Sequence, residues 1–90
     1  MYIFVKLGKT LVLYVSDSIN FNKLMHLVSI KFTEEHNLNR SLPVDRMYLE
    51  KGSSRYTIRD GDRKVTDICC NEDSFSIGFY NQSVMIRDFL

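Results

Sequence analysis

The chain has 90 residues, 44% of them hydrophobic and 26% charged, and its 12 Lys and Arg stand against 11 Asp and Glu for a net charge of +1. One hydrophobic core fits this length, which excludes a two-domain reading, and the composition lies far from the polar, highly charged range in which chains stay disordered. The near-neutral balance provides no global field for non-specific nucleic-acid binding and leaves only a local basic patch to consider.

Met1 to Val15 is largely apolar, but Lys6, Gly8 and Lys9 interrupt it short of a signal-peptide core or a spanning helix. We therefore expect a soluble protein of the cytoplasm or nucleus with no membrane partner. Met1 to Lys6 and the run from Thr10 are β-branched and aromatic, and Leu7-Gly8 between them predicts a tight turn. Alternation places Ile3, Val5, Leu11, Leu13 and Val15 inward and leaves Tyr2, Phe4, Val12 and Tyr14 on an outer face.

Ser16-Asp17-Ser18-Ile19-Asn20 carries side chains that can accept from free N–H groups at a helix start, so a helix is expected near Phe21. Phe21, Leu24, Met25, Val28 and Phe32 then recur at helical steps and form one apolar stripe to pack on the hairpin. Glu34 to Ser41 reads as an exit loop, and Pro43 prevents any continued helix. Arg46 to Leu49 and Arg55 to Ile58 are short strand candidates around the turn-forming Lys51-Gly52-Ser53-Ser54, and Asp60-Gly61-Asp62 marks a further turn. Val65, Ile68 and Cys70 suggest a helical turn, after which Phe75, Ile77 and Phe79 alternate as a final strand. The order is ββαββ, a short helical turn, then β, over a domain of residues 1–80. Residues 81–90 form a tail with apolar Val84, Met85, Ile86, Phe89 and Leu90.

Cys69 and Cys70 are adjacent, a spacing that resists an ordinary disulfide, and His26 and His36 are too isolated to complete a metal site. Two reduced thiols are expected, at least one of them in the core, with no metal and no cofactor. A nucleophilic Cys70 served by His26 or His36 is the enzymatic alternative, but a small fold of this kind spends its concave face on its own helix. No catalytic residue and no small-molecule substrate are expected.

Met1-Tyr2-Ile3-Phe4-Val5-Lys6 followed by Gly8-Lys9-Thr10 closely resembles the opening of the ubiquitin family, M-x-I-F-V-K and then G-K-T. Leu42-Pro43-Val44-Asp45-Arg46 is similar to the family's I-P-P-D segment running into R-L-I-F, and Asp60-Gly61 with Val65-Thr66-Asp67 to its D-G-x-x-L-S-D element. The resemblance covers residues 1–80. It implies an α+β, ubiquitin-like β-grasp: a mixed sheet of about five strands on one main helix, its first and last strands parallel at the centre. The family's conjugating members end in Gly-Gly, whereas Gly8, Gly52, Gly61 and Gly78 are the only glycines here and no two are adjacent. Conjugation by the usual route is not expected. The family's apolar recognition patch maps onto Leu7, Tyr48 and Gly78, an aromatic and a hydrogen replacing an aliphatic pair, so common ubiquitin-binding domains should meet a different surface.

The expected function is that of a non-conjugating interaction module, a subunit or adaptor held to protein partners through Tyr2, Phe4, Leu7, Val12, Tyr14, Tyr48 and Tyr80. The plainer alternative has the tail folding back over this face. Lys51, Arg55, Arg59, Arg63 and Lys64 form a basic stretch, read either as a solvated face or as a dock for RNA, a ribonucleoprotein or an acidic partner. Asp60-Gly61-Asp62 is similar to the acidic turn of PB1 domains over three residues, without that family's richer acidic cluster.

Overall fold

The computed structural model describes residues 1–35, 37 and 41–80; the expected tail 81–90 and His36 lie outside them. Strands β1 (Tyr2–Leu7) and β2 (Lys9–Tyr14) pair antiparallel around Gly8, whose φ of 73° is a left-handed value that glycine adopts without steric cost. Ile3, Val5, Leu11, Leu13 and Val15 are all buried, as their alternation predicts.

Helix α1 (Phe21–Glu35) starts where the capping residues place it. Asn20 Oδ1 accepts from the Lys23 N–H at 2.9 Å, and the otherwise unpaired N–H groups of Phe21 and Asn22 donate to the carbonyls of Arg63 at 3.0 Å and Gly61 at 3.2 Å. The Val65 N–H donates to the Ile19 carbonyl at 3.0 Å from the same distant loop. A Cβ on Gly61 would lie 2.9 Å from the Ile58 carbonyl oxygen and 3.3 Å from the Asn22 Cβ, so the glycine allows this loop to close on the helix start. Phe21, Leu24, Met25, Val28 and Phe32 are buried as the stripe predicts. The helix outlasts the expected loop boundary through Glu34 and Glu35, because glutamate is a good helix former and nothing before Pro43 forbids it. Ser29, absent from the stripe, is also buried; its hydroxyl donates to the Leu42 carbonyl at 2.8 Å and ties α1 to the segment entering the sheet.

That segment makes a 3-10 turn, Val44–Arg46, before β3 (Met47–Lys51) and β4 (Ser54–Tyr56). Both strands are displaced from their expected spans. β3 reaches Lys51 because Glu50 and Lys51 pair with Arg55 and Ser54, and β4 stops at Tyr56 because Thr57 opens a 3-10 turn, Ile58–Asp60. Thr57 Oγ1 accepts from the Arg59 N–H at 3.2 Å, and the Asp60 carboxylate accepts from the Thr57 N–H at 2.9 Å, a reciprocal capping box.

A third 3-10 turn, Val65–Asp67, precedes β5 (Asp73–Phe79). Of the two thiols, at least one of which is expected in the core, Cys69 is buried and Cys70 exposed. The Cys69 N–H returns to the Val65 carbonyl at 3.1 Å, which turns the first thiol inward and the second out. β5 runs parallel to β1 and antiparallel to β3, giving the order β2-β1-β5-β3-β4. One helix on a mixed sheet with its first and last strands parallel at the centre is the ubiquitin-like β-grasp arrangement. Phe21 stacks on Tyr56 at 5.1 Å between ring centroids and meets Phe75 edge-on at 6.4 Å, joining helix, β4 and β5 within one core.

Candidate functional site

Alternation along each strand and the register between strands fix the outer face. Tyr2 lies opposite Tyr14, and Phe4 sits between Val12 and Ser74. The next row runs Thr10, Lys6, Ser76, Glu50 and Arg55, and Gly78 faces Tyr48 beyond it. The expected aromatic residues therefore form two clusters rather than one patch. Ser74 to Gly78 spans ~13 Å at the ordinary rise per residue, and Lys6, Thr10, Ser76 and the Glu50–Arg55 pair occupy the polar band between.

In the first cluster the rings of Tyr2 and Tyr14 meet edge to face at 4.9 Å, beside Val12 and the half-buried Phe4. Tyr14 is 73% exposed, Val12 56% and Tyr2 47%, so large apolar side chains stand in solvent on a strand pair whose inner side is core.

In the second cluster Tyr48 and Tyr80 lie 4.9 Å apart and the Arg55 guanidinium sits 4.4 Å over the Tyr48 ring. Arg55 Nε also donates to Glu50 at 3.0 Å. The Tyr48 ring covers Gly78, where any Cβ would overlap it. The two departures from the family's apolar patch are thus one feature: the missing side chain is the space the ring fills. Leu7 shares the inward parity of Ile3 and Val5 and packs half-buried against the core, so it does not join the outer face with the tyrosines.

The basic stretch is not brought together. Lys51 Nζ bonds Asp73 at 3.1 Å and the Ile68 carbonyl at 3.2 Å, at the start of β5. Arg55 belongs to the second tyrosine cluster, and Arg59 lines a shallow, open hollow of about 330 Å³ with Asp45, Thr57, Ile58 and Tyr80. Arg63 and Lys64 sit at the start of α1, Arg63 5.9 Å from the Tyr56 ring. Strand, turn and loop geometry sends neighbours in sequence to separate places. Asp60 of the PB1-like turn is occupied by its capping role.

The Lys51–Asp73 pair shifts both groups. The Cys70 N–H first and Lys51 second hold the Asp73 carboxyl below its usual range, and the hydrogen bond to Asp73 raises Lys51. Burial pushes the Cys69 thiol up, which favours an inert thiol. His26 Nδ1 is hydrogen-bonded to the Asn22 carbonyl at 2.8 Å, and no contact joins it to Cys70 among the described residues. No group of three metal-ligating side chains occurs among them either, and no described helix is long and apolar enough to cross a membrane.

No protein-family model matches the chain, and no curated protein does. Among solved structures it is similar to the solution structure of a ubiquitin-like domain from an Arabidopsis thaliana protein, with a TM-score of 0.70 and 15% identity over 93% of this chain and 81% of that one. At this identity the likeness establishes the ubiquitin-like fold.

Proposed function

We propose that this ubiquitin-like domain is a non-conjugating protein-interaction module, a subunit or adaptor of a larger assembly, with a binding rather than a catalytic role. The observation that carries the reading is the cluster of Tyr2, Phe4, Val12 and Tyr14. Two touching tyrosines and a valine, each about half or more exposed, are held on a rigid hairpin whose reverse side is core. Rigid aromatic side chains give large contact area with few torsions to freeze, which suits a binding hot spot. The Tyr48 ring over Gly78 stands where the resemblance to ubiquitin implies part of a flat aliphatic surface, which supports a partner other than common ubiquitin receptors.

The test is affinity capture from the native source with the wild type and with a Phe4→Ala, Tyr14→Ala double variant. Loss of the captured proteins from the variant, with its thermal unfolding still cooperative, is the expected result; an unchanged set would sink the reading. The dispersal of the basic residues argues against an RNA-docking role, for which binding would weaken steeply with salt.

A further inference from the structure

We infer that β2 is a homotypic docking edge, through which two copies of this chain join their sheets antiparallel into one. The inference rests on the backbone edge and is independent of the partner proposed for the outer face.

β2 is the outermost strand at one side of the sheet. Met1 and Val15 exchange backbone hydrogen bonds, N–H of Val15 to the Met1 carbonyl at 2.9 Å and the Met1 ammonium to the Val15 carbonyl at 2.8 Å. Tyr2 next to them turns both its backbone groups the other way, its N–H to Asn71 Oδ1 at 2.7 Å and its carbonyl to the Glu72 N–H at 2.8 Å. Hydrogen-bonded and non-bonded pairs alternate along an antiparallel ladder, so Leu11, Leu13 and Val15 direct their backbone groups at β1. Thr10, Val12 and Tyr14 therefore direct theirs outward, and no partner for these groups occurs among the described residues.

Natural edges are guarded by prolines, bulges, charges or shortness. β2 carries one charge, Lys9 at its first residue, and beyond it Thr10-Leu11-Val12-Leu13-Tyr14-Val15 has no charge, proline or glycine, its residues all β-branched, aromatic or aliphatic. The opposite edge, β4, is guarded: it has three residues, with Arg55 at its centre. Of the two edges β2 is the longer and the less guarded, which selects β2 against β2.

The register selects a second copy as the occupant. With the two-fold axis at Val12, Val12 faces its own copy and Thr10 faces the copy's Tyr14. All three outward N–H and all three outward C=O groups of each strand then find partners, about six hydrogen bonds in all. The same register sets Leu11 opposite the copy's Leu13, so inward residues meet inward residues and outer ones meet outer ones. No like charges face one another. A two-fold contact of this kind closes on itself and does not propagate, because the remaining free edges are the guarded ones. Such an interface is small, on the order of 1,000 Å² or less, at the low end of specific contacts, so a reversible monomer–dimer equilibrium is expected.

The test combines sedimentation equilibrium from ~5 µM to 1 mM with amide hydrogen exchange at both ends of that range. We expect a monomer–dimer equilibrium in which the amides of Thr10, Val12 and Tyr14 become protected only at high concentration, while those of Leu11, Leu13 and Val15 are protected throughout. Val12→Pro removes an outward N–H and no internal bond, and should raise the dissociation constant at least about tenfold. Should that variant fail to fold, Val12→Lys, which sets two lysines face to face, must give the same loss. A monomer at 1 mM with fast exchange at Thr10, Val12 and Tyr14 would overturn the inference. Protection of these amides at every concentration would overturn it too, by showing that another part of the same chain covers the edge.

Discussion

The pairing of Tyr48 with Gly78 makes a prediction whose sign depends on background. Replacing a strand glycine by alanine ordinarily stabilises by about 0.5–1 kcal/mol, because the unfolded chain loses freedom. Here the new Cβ meets the far end of the Tyr48 ring, which must swing away. Swinging breaks the 4.9 Å contact with Tyr80, worth about 0.5–1.5 kcal/mol, and returns roughly 50 Å² of ring and backbone to water, about another 1 kcal/mol. The solvent-exposed Arg55 contact adds little. Gly78→Ala alone should therefore cost about 1 kcal/mol, whereas in a Tyr48→Ala background it should stabilise by about 0.5–1 kcal/mol. The resulting coupling is ~1.5–2 kcal/mol, measurable by urea unfolding of the four members of a double-mutant cycle. A coupling below about 0.3 kcal/mol would refute the claim that the two positions form one feature.

Ser29→Ala should destabilise by about 1–2 kcal/mol, read from the urea midpoint, because the Leu42 carbonyl loses its donor inside the core. Phe75→Ala removes the ring that meets both Phe21 and Tyr56, and should cost about 3–5 kcal/mol, enough to leave a chain of this size largely unfolded by circular dichroism. Asp73 is depressed in the folded state, so its contribution is complete above the ordinary carboxylate range and lost as pH falls through its lowered value; Asp73→Asn should flatten the acid limb of a stability-versus-pH curve. Lys51 is raised, so its contribution holds below the ordinary lysine range and is lost only in more alkaline solution. A maleimide should label one thiol of the native protein, Cys70, and both after unfolding, with mass spectrometry locating the adduct.

What could be read in advance was what repeats locally. Alternation from Ile3 to Val15 and the stripe from Phe21 to Phe32 put the correct side chains inward, because burial on one face imposes the period of the element itself. Strand ends were less legible: Thr57 looks like a strand residue, yet its hydroxyl and the Asp60 carboxylate make a better cap than a continued ladder. Contacts that depend on which strands become neighbours had no local signal. Ser29 reads as a polar gap in a helix until Leu42 comes beside it, and Lys51 and Asp73 meet only because β5 inserts next to β3. For the same reason the tyrosines, alike in parity, separate into two clusters according to how far along each strand they fall. The openness of β2 likewise follows from its place at the end of the sheet order, although the missing guards are visible in Thr10 to Val15.

The division of the outer face bears on how this fold can diverge without unfolding. Inward positions are tied to the helix by shared packing, so a change at Phe21 or Phe75 is felt across the core. Outer positions couple only to side chains they touch, and groups more than about 10 Å apart vary independently. Tyr48, Gly78, Tyr80 and Arg55 therefore form one coupled unit, separate from Tyr2, Phe4, Val12 and Tyr14 at the other end. A receptor shaped for a flat aliphatic patch meets a ring lying over bare backbone at the first of these ends. Paired tyrosines stand exposed at the second, and neither arrangement disturbs the strand parity that specifies the β-grasp.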